Sequence, residues 1–159
     1  VSATHFCPGN DMSRAMMITV LYRLAGEPDV SGLECPFRDV KLGSWYADAV
    51  CWAAANQIAF GVSGEHFNPS GTLTREQMAV LLYRYAKLQK ADTATTSELT
   101  DFPDGASVSS WAKDAMQWAV GTGLICGIQE NGKLLLDPRG NSTRAQVAVI
   151  LMRFQEEVA

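Results

Sequence analysis

The chain has 159 residues, of which 47% are hydrophobic and 19% charged, and a formal net charge of −4. That length suits one globular domain of roughly 100–200 residues, and the composition excludes disorder. An acidic chain with no Lys/Arg cluster argues against nucleic-acid or anionic-membrane binding, and no apolar run approaches the ~20 residues of a membrane-spanning helix.

From the N-terminus, Phe6-Cys7-Pro8 leads into Ser13-Arg14 and a helical face of Met17, Val20, Leu21 and Leu24. Gly26–Glu34 is polar and reads as a linker. A second helix is predicted after Ser44 as N-cap, with Trp45, Ala49, Trp52 and Ala53 at i, i+4, i+7 and i+8 on one apolar face. A Gly61-containing loop then reaches Phe67-Asn68-Pro69 and Thr74-Arg75, followed by a helix with Met78, Leu81, Leu82 and Tyr85 on one side. Gln89–Glu98 is a second linker. Ser110 stands as N-cap before Trp111, Ala115, Trp118 and Ala119, and a Gly127 loop leads to Leu136-Asp137-Pro138, Thr143-Arg144 and a face of Val147, Ile150, Leu151 and Phe154.

These segments repeat. Pro precedes Arg by six residues at Pro8/Arg14, Pro69/Arg75 and Pro138/Arg144, and a second Arg follows nine residues on at Arg23, Arg84 and Arg153. The chain holds the second half of one unit within 1–30, a whole unit over 36–90, and another over 99–159. Extra residues before Trp111 and between Gly127 and Leu136 are expected as surface loops. Helix pairs this short cannot bury an apolar stripe alone, so an all-α architecture of mutually packed helix-loop-helix units is predicted.

The run Phe37-Arg38-Asp39-Val40, Ser44-Trp45-Tyr46-Ala47-Asp48-Ala49-Val50, Ile58-Ala59-Phe60-Gly61, Phe67-Asn68-Pro69 and Leu73-Thr74-Arg75-Glu76-Gln77 resembles the S-layer homology (SLH) module. The last unit is similar through Ser110-Trp111-Ala112-Lys113-Asp114-Ala115, Leu124-Ile125-Cys126-Gly127 and Thr143-Arg144-Ala145-Gln146, and the half unit from Phe6 onward. The resemblance implies a pseudo-threefold bundle of three modules that together form one SLH domain. It also implies a secreted location at a bacterial cell surface, and non-catalytic anchoring to secondary cell-wall polysaccharide, often through a pyruvylated terminal sugar. The grooves between modules and the Arg of the Thr-Arg motif are the binding elements it implies.

The residues carry their own chemistry. Thr74 with Gln77 and Thr143 with Gln146 fit capping boxes. Arg14, Arg75 and Arg144 then fall in a first helical turn, where the macrodipole disfavours a cation by about 0.3–1 kcal/mol. That placement asks for negative charge: a glycan carboxylate at the helix N-terminus, or an Asp or Glu of the neighbouring unit. Trp45 and Trp111 are read as core, with stacking on a sugar ring as the alternative; Trp52 and Trp118 are read as core. Gly61 and Gly127 are expected either as helix C-caps or as bare backbone for a ligand. Asp39 is expected to bond the chain entering its helix, or sugar hydroxyls, with Asp101 or Asp104 as its counterpart. Arg23, Arg84 and Arg153 are expected in ion pairs between units.

His5 and His66 are repeat-equivalent and Leu135 stands in the third place, so both read as loop residues rather than catalytic groups. No catalytic residue, metal or cofactor is expected. Cys7, Cys35, Cys51 and Cys126 lack metal-site spacing and read as free thiols, with a Cys7–Cys35 disulfide as the alternative. The missing first helix of the half unit is expected from a preceding segment, a separate fragment or a second copy. Because Met16, Gln77 and Gln146 replace the motif's acidic fourth position, the competing function is a protein–protein assembly module of a surface protein.

Overall fold

The computed structural model describes residues 5–158, which form five α-helices: α1 (Arg14–Leu24), α2 (Ala47–Ala55), α3 (Arg75–Leu88), α4 (Lys113–Gly121) and α5 (Arg144–Glu157). An antiparallel hairpin, β1 (Ile128–Glu130) and β2 (Lys133–Leu135), occupies the insertion after Gly127 and pairs Ile128 with Leu135. The chain is therefore mostly helical rather than all-α. Asn131 and Gly132, both at positive φ, make the tight two-residue turn that lets the insertion pair with itself.

The described residues divide into two compact units: Met12–Leu73, and a second that joins residues up to Asp11 with those from Thr74 onward. In the first, α1 packs on α2; in the second, α3 packs on α4. The packed pairs thus join the second helix of one repeat to the first helix of the next. The division falls at 73/74 rather than in the predicted linkers for that reason.

The core takes the apolar face read for α3, but on α1 the face is shifted: Met17 and Leu21 are buried with Ile18, while Val20 is half-buried and Leu24 is exposed. In the first unit Met17, Ile18, Leu21, Val50 and Ala53 are fully buried, and Tyr22 meets Trp52 with ring centroids 5.5 Å apart. In the second unit Met78, Leu82, Trp118, Ala119 and Phe154 are buried, and Tyr83 meets Trp118 at 5.4 Å. Trp52 and Trp118 are core, as predicted.

Trp45 and Trp111 are not: they are 63% and 57% exposed. The predicted helix started too early. Ser44 is no N-cap, because its hydroxyl turns back to the Lys41 carbonyl and α2 opens only at Ala47. Ser110 opens a 3-10 turn, Ser110–Ala112, and α4 begins at Lys113. A 3.6-residue phase carried back through turns that are not α-helical puts both indoles on the wrong side.

The helices that follow the Pro loops start as predicted. Ser13 caps α1 through the Met16 amide, and Thr74/Gln77 and Thr143/Gln146 form complete capping boxes on α3 and α5. The preceding amides are filled by backbone. The N–H groups of Arg14 and Ala15 donate to the carbonyls of Gly71 and Pro69, those of Arg75 and Glu76 to Gly140 and Pro138, and those of Arg144 and Ala145 to Asn10 and Pro8. One pattern thus recurs three times, always from a helix start to a Pro loop of another repeat. Cys7, Asn68 and Asp137 sit at φ of 50°, 58° and 47°, which bends each loop so that its carbonyls face the helix.

Candidate functional site

Because the first amides of α1, α3 and α5 are already bonded, these helix starts are not open anion sites. Among the described residues none of Arg14, Arg75 and Arg144 pairs with an Asp or Glu of a neighbouring repeat, so the internal salt bridge does not form. Arg14 is 7% exposed; its Nε donates to the Phe67 carbonyl at 2.9 Å and its Nη2 to the Phe60 carbonyl at 3.1 Å. Arg75 is 3% exposed, and its Nε donates to the Leu136 carbonyl at 2.7 Å. Phe67 and Leu136 are repeat-equivalent. Burial pushes both guanidinium pKa values down, opposed by Asp39 at Arg14 and by Asp137 and Asp104 at Arg75. Backbone carbonyls, not carboxylates, take the hydrogen bonds.

Asp39 grips the same peptides from the other side. Its two oxygens accept from the amides of Phe67 (2.8 Å) and Asn68 (2.7 Å). Asp104 does likewise for Leu136 (2.9 Å) and Asp137 (2.7 Å), which makes Asp104, not the exposed Asp101, its counterpart. The Pro loops at Phe67 and Leu136 are therefore each held between an Arg on the carbonyl and an Asp on the amides. The expectation that Asp39 bonds the entry to its own helix gives way to this longer reach.

Gly61 and Gly127 do not end helices, since α2 stops at Ala55 and α4 at Gly121. Gly61 is needed for close approach: a Cβ there would stand 2.6 Å from the His66 carbonyl oxygen and 3.0 Å from that of Gly64. Gly127 has φ 82°, and its Cβ would meet the Leu134 side chain at 2.9 Å. In both cases the chain itself, in the hairpin-like return of each loop, is what comes close.

Arg75 and Gly127 line one cleft of about 290 Å³ together with Leu124, Ile125, Cys126, Gln146 and Arg153. Arg153 donates through Nη1 to the Leu124 carbonyl of its own repeat at 3.3 Å, and it makes no ion pair among the described residues. Arg23 pairs with Glu27 four residues on. Two arginines line this cleft and no Asp or Glu does. Trp111 and Asp104 are outside its lining. Arg14, Gly61 and Asp39 form the matching cluster in the other unit, where Trp45 packs edge-on against Tyr46 at 5.2 Å. Arg144 stacks on the Phe6 ring at 5.1 Å from its centroid, with its Nε buried and unpartnered.

Sequence reasoning missed Arg153 as a cleft residue, and Glu76, which is 4% exposed and accepts from the Ser109 amide and hydroxyl. The recurrence of Arg153 was its only signal; Glu76 had none, since Ala15 and Ala145 hold its place in the other repeats. The four cysteines are free thiols, with no Cys7–Cys35 bond. No group of His, Cys, Asp and Glu among the described residues could hold a metal. No helix among them is long and apolar enough to cross a membrane.

The paired, looped repeats, with an Arg-Asp clamp on two of the three Pro loops, define a tandem-repeat module whose candidate site is a small arginine-lined cleft. The profile of the S-layer homology domain matches residues 36–79 and 101–148, and the chain belongs to that family. It is 35% identical, over 97% of its length, to the surface-layer 125 kDa protein of Lysinibacillus sphaericus, of which it covers 12%. It is 30% identical to an amylopullulanase of Thermoanaerobacterium thermosulfurigenes, over 97% of this chain and 8% of that one. A cellulosome-anchoring protein of Acetivibrio thermocellus is 24% identical over 95% of this chain and 33% of its own. The chain thus spans no more than a third of each of these relatives. The family and these relatives identify a cell-surface, S-layer anchoring module, the non-catalytic part that enzymes such as the amylopullulanase carry beside their own domains.

Proposed function

We propose that the chain anchors its parent protein by binding an anionic secondary cell-wall polysaccharide, and that the cleft of Arg75, Gly127 and Arg153 is one binding groove. The carrying observation is the lining of that cleft, two arginines and no carboxylate in a chain of net charge −4, with Asp104 and Asp137 acting on Arg75 from outside it. A local cationic pocket on an acidic protein selects a shaped anion rather than any polyanion. Arg75 Nε is committed to Leu136, so a ligand carboxylate would meet the Nη edge of a guanidinium already held in place. A pyruvyl group on a terminal sugar fits this chemistry, and the exposed faces of Trp45 and Trp111 suit the C–H side of a pyranose. Arg14 with Gly61 and Asp39 forms the equivalent cluster, and Arg144 stands in the third.

Affinity for purified wall polymer, with and without its acidic substituents, tests this reading. Because Arg75→Ala also removes a buried bond, Arg153→Gln is the cleaner variant. A loss of about tenfold in affinity is expected, equal to 1.4 kcal/mol. Unchanged binding by Arg153→Gln, or by polymer stripped of acid groups, would remove the cleft from the site. Retention on sacculi stripped of polymer would favour the assembly function instead.

A further inference from the structure

Cys51 is buried on α2, and Cys35, half-buried, follows the polar linker that runs from Gly26 to Glu34. The two thiols lie side by side, with a hydrogen bond between them. Both belong to the Met12–Leu73 unit, and neither lines the arginine cleft.

The other unit makes a contact at the same place. Trp52 and Trp118 are equivalent, so Gln117 stands where Cys51 does; counted back from Asp39 and Asp104, Thr100 stands where Cys35 does. There the incoming chain is fastened to α4 by polar bonds. The Ser97 amide donates to the Gln117 carbonyl at 3.0 Å, and Gln117 Nε2 donates to Glu98 Oε2 at 3.4 Å. This helix position therefore meets the chain that enters its repeat in both units. In the first unit two thiols take the place of the amide and carboxylate, and a thiol is a weak donor and a weak acceptor. Two sulfurs already in contact can fasten the chain far better through a covalent bond. The cell surface, outside the reducing cytosol, is where such a bond persists.

We propose that Cys35 and Cys51 are a disulfide site, closed at the cell surface by exchange with a low-molecular-weight disulfide. Cys35, the more exposed thiol, gives up its proton and attacks one sulfur of the small disulfide, whose S–S bond breaks and releases one small thiol. Cys51 then attacks the Cys35 sulfur of this mixed disulfide, and the second small thiol leaves with the Cys51 proton. Two protein thiols and one small disulfide become one protein disulfide and two small thiols, a two-electron oxidation of the protein. The order follows from the surroundings of Cys51: burial first, then Cys35 and Asp48, oppose its thiolate. It is thus a poor opener of the exchange, yet it already lies against the sulfur it must attack. The bond pins the end of the linker to α2 and closes a loop over residues 36–50, which carries Asp39.

The test takes the full chain, fully reduced, and equilibrates it with an excess of glutathione disulfide. Peptide mapping without reductant should recover the Cys35 and Cys51 peptides joined, with an intact mass lower by two hydrogens. Closing a loop of about 15 residues should raise Tm by roughly 6–12 °C, and dithiothreitol should reverse the rise. Cys35→Ala, a change at a half-buried position that keeps the core, should fold and show no rise on the same treatment. Cys51→Ala should behave likewise. Glutathione that stops on Cys35 without a joined peptide would overturn the proposal, as would a bond from either cysteine to Cys7 or Cys126. A joined pair that leaves Tm unchanged would also overturn it, since the linker would then not be fastened.

Discussion

Replacing Asp39 tests whether the Pro loop is held by its carboxylate. Asp39 accepts two charge-assisted bonds, at 2.8 and 2.7 Å, from the Phe67 and Asn68 amides. Such bonds contribute about 1.5–3 kcal/mol each, and the partial exposure of Asp39 argues for the low end, so Asp39→Ala should cost about 3 kcal/mol. Asp39→Asn keeps one acceptor and should cost about half of that. For a chain of 159 residues, 1 kcal/mol moves Tm by roughly 2–4 °C. The Ala variant should therefore melt roughly 6–12 °C lower, and the Asn variant roughly 3–6 °C lower. The pH dependence follows from the same contacts. Burial raises the Asp39 pKa, but the Phe67 and Asn68 amides outweigh it and hold the carboxyl below its usual value. A depressed folded pKa gives stability that is fully present above the unfolded value, about 4, and is lost as pH falls through the folded one. The gap in Tm between wild type and Asp39→Asn should thus be constant from pH 5 to 7 and close below about pH 4. Scanning calorimetry across that range, with exposed Asp101→Ala as control, decides it. Equal shifts for the Asp39 and Asp101 variants, or a gap that widens in acid, would refute the clamp.

Trp118 is fully buried between Tyr83 and Phe154, so Trp118→Ala should cost about 3–5 kcal/mol in chemical denaturation. Trp118→Phe should cost far less, because it also removes an indole N–H that has no hydrogen-bond partner. The Cys51 thiol is pushed up to about 12, first by burial and then by Cys35 beside it, so at pH 8 it should react with a thiol reagent only on unfolding. Labelling of exposed Cys126 in the folded chain supplies the comparison, and equal rates for the two would contradict the burial.

What was legible in the sequence follows from where its signals originate. Capping boxes and the placing of the indoles on α2 and α4 are written within four or eight residues of themselves, so Thr74 and Thr143 cap their helices and Trp52 and Trp118 are buried as the sequence predicts. Trp45 and Trp111 fail because their turns precede the α-helices and do not share the helical phase. The hairpin at Ile128–Leu135 hid inside what composition marks only as an insertion.

The arginines show the deeper limit. A cation in a first helical turn was correctly read as needing compensation, but a backbone carbonyl can supply it, and a carbonyl has no residue type. Nothing in Phe67 or Leu136 marks either as the partner of an arginine some sixty residues away. Recurrence was the usable signal, and it measures structural demand as well as ligand demand. Arg14 and Arg75 each hold a loop with Nε, and Arg14 bonds a second carbonyl, that of Phe60, through Nη2. Arg153 spends one donor on Leu124 at the cleft wall. The same side chains can therefore set the shape of a groove and supply its charge, which is why loss of Arg75 alone cannot separate the two and why Arg153 and the polymer's own acid groups are the sharper probes.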